Sequence, residues 1–341
     1  MKTKYSLFLF LFLFAASSTF AQLNIGKSRS PINLWVSEHK QSVFDHLKKT
    51  KTIFVLPPNL ERNEIEPIIK DVWDFNEVIF VEDSVYEDKQ ESYISSENLI
   101  VKLIDNVYSK SKTGGVMGPE TRTVGAYISF KFVAFTFDKI KTSKKGKLDY
   151  DTINIAEIFF TPNIRLRQDV AYSAGGKMKL GSFDKINAKH GEEPGFYNFN
   201  LGYIKNYFQE LNHRLSNSQN LKMEDGVVKK DKLTELNGKT LYVPEWTLLK
   251  YNAMAASYGK ERTAEELFSK YGQDYRILPN DEINTKILNG EEFYYLMHTQ
   301  FNQKKIISVI HSGTGEIIYL NEDGGYNIKD TDLKQINKLI G

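Results

Sequence analysis

Apolar positions first occur as an unbroken run over residues 7–14, extended by Ala15 and Ala16 behind the basic start Lys2 and Lys4. Small residues Thr19 and Ala21 precede Gln22, which completes the pattern of a cleavable secretory signal peptide over residues 1–21. A membrane-spanning helix needs roughly 20 apolar residues, about twice what this run offers, and no later stretch is longer. The sequence therefore predicts no transmembrane anchor. With Gln22 rather than cysteine after the cut, it predicts no lipid anchor either.

Beyond residue 21 the period of the pattern alternates. Residues 22–34 are small and polar and read as a lead-in arm. Over 35–49, Trp35, His39, Val43, Phe44 and Leu47 fall near one helical face. A short strand at 51–56 is stopped by Pro57 and Pro58. Asn63, with Glu66 three residues on, predicts a capping box. Pro67 then falls in the first turn of a helix whose apolar stripe is Ile65, Ile68, Ile69, Val72 and Trp73. A second strand follows at 77–82. Short strands, apolar on both faces and separated by a helix, predict a βαβ unit with a parallel pair. Leu99, Ile100, Leu103, Ile104, Val107 and Tyr108 recur at helical spacing and predict a helix over 97–109. The glycine-rich stretch 110–122 reads as a loop.

The period then changes to two. Residues 125–140 alternate, and a polar turn at 143–146 returns them as 148–160, which predicts a long antiparallel hairpin. A further strand is expected over 164–173. Residues 175–197 hold five glycines and Pro194 and read as an irregular connection between an N-terminal part, 35–174, and a C-terminal part, 198–341. In the latter, Asn198 or Asn200 caps a helix over 201–216. Residues 230–236 suit a short helix and 240–244 a strand ended by proline. Thr263 and Glu266 form a second capping box. Residues 275–278 form a strand, and Asn280 caps a helix that Gly290 ends. Residues 293–301, 304–311 and 316–320 predict a three-stranded antiparallel meander, closed by a helix over 330–340. The fold class expected is α/β to α+β: a mixed N-terminal sheet with packed helices, then an α+β part ending in the meander. No internal repeat of fixed period is visible.

Composition narrows the function classes. Hydrophobic residues at 41% and charged residues at 26% argue for a globular chain. The absence of cysteine excludes disulfides, thiolate metal sites and cysteine nucleophiles. Removing residues 1–21 takes away two lysines and no acid, which brings the formal charge from +2 to zero. That gives no electrostatic reason to expect nucleic acid as a partner.

Several segments are familiar. KTIFVLP, DVWDFNEVIF, TLYVPEWTLLKYN, GEEFYYLMHT and ISVIHSGTGEIIYLN resemble a group of secreted envelope proteins of unassigned function. The stretch GTGEIIY also resembles the small antiparallel modules of PepSY type. Neither resemblance implies a catalytic residue at any position; the first implies export to the cell envelope.

The candidate chemistry is sparse. His39 and His46 lie two helical turns apart, too far to share one metal. The two-residue turn of the meander pairs residue 298 with 307 and residue 311 with 294, which leaves His298 and His311 roughly 13 Å apart along the strand. His190, Glu193 and a helical His213 are the best acid–base or metal set, but HExxH is absent. Ser182 and Lys185 have the spacing of a Ser–Lys pair without its accompanying elements. Asn321–Gly325 resembles a calcium loop, but its later positions fail the pattern and a turn is expected. Gly114–Pro119 lacks the end of a phosphate loop. Glu82, Asp83, Glu87, Asp88 and Glu91 read as a solvated acidic loop. The sequence thus predicts no cofactor. It points to a non-catalytic protein that binds another protein or component of the envelope, with a hydrolase using the 182–213 region as the alternative.

Overall fold

The structure is a computed structural model that describes residues 22–28, 36–57, 60–115, 118–143, 146, 148–164, 166, 195–252, 257–259, 261–301 and 304–341. Its first half contains, in order, β1 (Leu23–Ile25), β2 (Lys27–Ser28), β3 (Val36–Ser37), α1 (Gln41–Leu47), β4 (Lys51–Leu56), α2 (Arg62–Val72), β5 (Val78–Glu82), α3 (Asp83–Asp88), β6 (Asn98–Gly115), β7 (Gly118–Thr142) and β8 (Leu148–Phe160). Six of these strands form a mixed sheet in the order β1-β8-β7-β6-β4-β5. Strand β4 runs parallel to β5 and β6, and the other neighbours are antiparallel.

Helix α4 (Leu201–Ser216) closes the first half. Then come β9 (Val227–Val228), α5 (Lys230–Thr234), β10 (Leu241–Pro244), the two-stranded pair β11 (Tyr251–Asn252) and β12 (Ser257–Tyr258), and α6 (Ala264–Phe268). The chain continues through β13 (Tyr275–Leu278), α7 (Asn280–Leu288), β14 (Tyr294–Phe301), β15 (Lys304–His311), β16 (Ile317–Gly324) and α8 (Asp330–Ile340). The second mixed sheet has the order β13-β10-β14-β15-β16-β9. Strand β10 is parallel to β13 and β14, and the remaining pairs are antiparallel.

The two halves share one topology. Numbered from its own start, each sheet reads 3-2-4-5-6-1, with the same parallel and antiparallel pairs. A helix lies at each corresponding connection: α1 and α5, α2 and α6, α3 and α7, and after the last strand α4 and α8. Both also carry a register shift between strands 5 and 6, at Ala134/Phe135 and at Val309/Ile310. Right-handed crossovers explain where the helices sit. The chain moves outward from strand 2 to 3 and back from 3 to 4, so the two connecting helices fall on opposite faces. Phe54 and Leu56 accordingly pack with α1, α2 and α4, whereas Ile53 and Val55 pack with Tyr86 of α3. Leu241 and Val243 pack with α5, α6 and α8, whereas Tyr242 lies on the side of α7.

The largest apolar cluster joins the two sheets through α4. Phe208 lies 5.5 Å from Phe54, 5.9 Å from Trp73 and 6.0 Å from Phe132, ring centre to ring centre. One turn away, Tyr203 stacks on Tyr295 at 5.5 Å. Helix α4 meets α7 at Gly202, whose amide donates to Asn284 Oδ1 at 2.7 Å. A Cβ at Gly202 would stand 2.8 Å from the Asn284 carbonyl, so this approach requires glycine. The layers run α3, first sheet, α1 with α2 and α4, then α7, second sheet, and α5 with α6 and α8.

Several sequence expectations change. Residues 98–109 of the expected helix belong to strand β6. Layers on both sides of the sheet bury the start of this strand on both faces, Leu99 and Val101 toward one core and Ile100 toward the other, which mimics helical spacing. The expected loop 110–122 is strand through Gly115 and again from Gly118. Part of the polar arm is β1, which is fully buried against β8. Helix α1 starts only at Gln41, after the short strand β3. The N-cap of α2 is Glu61 and no side chain caps it; Pro67 lies inside that helix. Glu66 instead pairs with Arg62 at 2.7 Å and Lys70 at 2.6 Å. Pro279 is the N-cap of α7. Asn280 turns to bond Tyr203 Oη and the Tyr197 carbonyl, both at 2.8 Å. The capping box at Thr263 and Glu266 is present, Asn200 caps α4, and the meander has the expected register, with His298 opposite Ile307 and His311 opposite Tyr294. The strand expected over 164–173 falls almost wholly outside the described residues.

Candidate functional site

Four of the residues singled out in the sequence, Ser182, Lys185, His190 and Glu193, lie outside the described residues. The fifth, His213, is exposed on α4, where Asn217 Nδ2 approaches its Nδ1 at 3.4 Å. The remaining described histidines are separate. His39 Nε2 meets the Ile155 carbonyl at 3.2 Å, and His46 Nε2 meets the Ser96 carbonyl at 2.7 Å. His298 is 1% exposed and stacks on Trp246 at 5.7 Å, with Nε2 near the Tyr326 carbonyl. Among the described residues no group of three or more His, Asp or Glu is placed to hold a metal ion.

The expected turn at Asn321–Gly325 is strand β16 as far as Gly324. Glu322 is buried there against Lys304 Nζ at 2.6 Å. Burial pushes its carboxyl above the ordinary range, and Lys304 opposes that shift. The acidic segment after β5 is helix α3 and a 3-10 turn rather than a loop, with Asp83 and Glu87 both on Lys102.

What the structure does assemble is a cleft of about 300 Å³ where β10 and β14 begin and β15 ends. It is lined by Lys239, Thr240, Tyr242, Glu292, Phe293, Tyr294 and His311. The register explains the grouping, because Tyr294 lies opposite Leu241 on one side and His311 on the other. Tyr294 and His311 project from one face of the sheet edge, and Tyr242 and Phe293 from the other.

Each aromatic is fixed by its neighbours. Tyr294 Oη donates to Glu235 Oε2 at 2.8 Å. Lys239 Nζ stands 5.4 Å from the Tyr294 ring centre, and His311 meets that ring edge-on at 5.1 Å. Tyr242 and Phe293 form an edge-to-face pair at 4.9 Å. Lys286 Nζ lies 6.0 Å from the Tyr242 ring centre. Glu235 also accepts from Lys232 at 2.9 Å. The Lys232 bond first, then the Tyr294 hydroxyl, lowers the Glu235 carboxyl to about 2. Burial first, then the same carboxylate, raises the Tyr294 phenol well above its ordinary value.

The turn behind the cleft is held from α4. Asn206 Nδ2 donates to the Ser312 carbonyl at 2.7 Å, and Ser312 Oγ accepts from the Phe293 amide at 2.8 Å. Gly315 has φ +70°, and a Cβ there would stand 2.2 Å from the Asn206 carbonyl, so only glycine fits.

Chemically the cleft offers aromatic surface, one ammonium and one carboxylate at an open edge. His311 Nδ1 meets Thr314 Oγ1 at 3.2 Å, within the same turn and exposed. That hydroxyl accepts from the Glu316 amide, which ties it to the turn. The arrangement suits recognition of a surface with an apolar face and a polar rim. Sequence reading anticipated the Tyr294–His311 pair through the meander register. It did not anticipate that β10 brings Tyr242 and Lys239 beside them. Compared with known proteins, the chain matches no family model, no curated protein and no solved structure.

Proposed function

We propose that the chain is exported through its N-terminal segment and acts as a non-catalytic binding protein of the cell envelope. Its partner is another protein or envelope component that presents an apolar face and a polar rim to the Tyr242–Tyr294 cleft. The observation that carries this reading is the cleft itself. Tyr294 is already held by Glu235, Lys239 and His311, and Tyr242 and Phe293 pack edge to face, so docking orders few side chains and loses little rotamer freedom. The basic–apolar–small pattern of residues 1–21 supports export. Among the described residues, no helix is long and apolar enough to cross a membrane.

The test is retention of separated envelope fractions, protein and glycan, on the immobilised mature chain and on a Tyr242→Ala/Phe293→Ala variant. One fraction retained at least tenfold more strongly by the native chain supports the reading. Equal retention by both, or conversion of a retained component into product, contradicts it.

A further inference from the structure

The shared topology gives each helix a counterpart and leaves two counterparts unused. Inside the chain the halves stack head to tail, with α4, the last helix of the first half, against α7, the strand 3-to-4 helix of the second. The counterpart of α4 is α8, which lies on the far side of the second sheet. The counterpart of α7 is α3, on the far side of the first sheet. These two helices are the opposite ends of the layered molecule.

The exposed charges of the two helices are opposite in sign, with Glu265 and Glu266 of α6 beside α8 and with Lys102 already on Asp83 and Glu87. Residues 82–97 hold six acidic residues and one lysine. Glu82, Glu87, Asp88 and Glu91 are exposed. Three large hydrophobic residues are exposed among the described residues, and two of them, Ile79 at 37% and Val85 at 39%, belong to this end. Ile79 lies on the α3 face of the sheet because it shares the strand parity of Val81. Tyr93 and Ile94 are half-buried beside them. At the other end the outward stripe of α8 is Thr331, Lys334 and Lys338, with no carboxylate in it.

We propose that a second copy of this chain docks its α8 on the α3 face of the first, repeating between molecules the step that α4 and α7 make within one. Lys334 and Lys338 meet the acidic helix, and Val85 and Ile79 lose water. The contact joins two different surfaces, so it is heterologous and extends in one direction instead of closing at a dimer.

Sedimentation equilibrium of the mature chain tests this at about 20 mM and about 0.5 M salt, since screening at the higher value suppresses exposed charge pairs. The weight-average mass should rise with concentration at low salt without levelling at two chains, and should fall toward one chain at high salt. Asp88→Lys/Glu91→Lys and Lys334→Glu/Lys338→Glu should each weaken association at least tenfold while far-ultraviolet circular dichroism stays unchanged. An equal mixture of the two variants should associate again, because each reversed surface then meets a reversed partner. A monomer at every concentration in low salt overturns the proposal. So does association that survives either reversal, or a mixture that stays monomeric.

Discussion

Phe208 seats α4 on the first sheet while Tyr203 of the same helix packs on the second, so truncating Phe208 tests whether α4 couples the two halves. Its ring lies within 6.0 Å of Phe54, Trp73 and Phe132, and the residue is 1% exposed. Phe208→Ala removes a phenyl group from a site whose neighbours belong to β4, the C-cap of α2 and β7. These are held by their own sheet and helix bonds and close only partly over the gap. Losses for such truncations are about 3–5 kcal/mol, and three ring contacts place this one near the upper half, about 4 kcal/mol. That is a large share of the roughly 5–15 kcal/mol that keeps a domain folded. Two reporters separate the halves. Trp35→Phe/Trp246→Phe leaves Trp73, which packs on Phe208, and Trp35→Phe/Trp73→Phe leaves Trp246, near β14. Because Trp73 and Trp246 share one cluster with α4, urea unfolding followed at either tryptophan should show one transition. Phe208→Ala should shift both by the same amount. A shift at Trp73 with none at Trp246 would refute the shared core, and a loss under about 1 kcal/mol would refute the packing of the ring.

Further outcomes follow from individual contacts. Gly315→Ala should cost more than about 1 kcal/mol, because φ +70° and the Asn206 carbonyl both oppose a Cβ; chemical denaturation reads it. Lys131→Met leaves the buried Glu157 carboxylate without its ammonium and should cost about 3–5 kcal/mol at neutral pH. Adding Glu157→Gln should restore most of that loss. Burial holds His39 below its ordinary value, with the Ile155 carbonyl opposing. Protons therefore bind the unfolded chain more readily, and stability should decline as pH falls below 6.5. His39→Gln should flatten that decline in denaturation midpoints measured across the same range.

The meander was legible because strand parity and a two-residue turn leave one register that buries Leu296, Val309 and Ile318 together. The helix expected at 97–109 shows the limit. A central strand buried on both faces lacks the alternation that marks a strand, and Leu99, Ile100, Leu103 and Ile104 satisfy helical spacing by chance. The shared topology was hidden for a related reason. Its strands are short apolar runs that any sheet accepts, and only KTIFVLP in β4 and KTLYVP at β10 read alike. The cleft joins Lys239 to His311 through three strands, and no local pattern spans that distance. Glu235 beneath Tyr294 depends on how α5 packs, which residue spacing does not encode.

The most direct test of the proposed binding role is hydrogen–deuterium exchange of residues 22–341 with and without an envelope fraction that they are found to retain. Protection should concentrate at residues 239–242, 292–294 and 311–315, around Tyr294 and the turn behind it. Binding that leaves those amides unprotected, or protects only segments elsewhere, would contradict the assignment of the cleft as the recognition site.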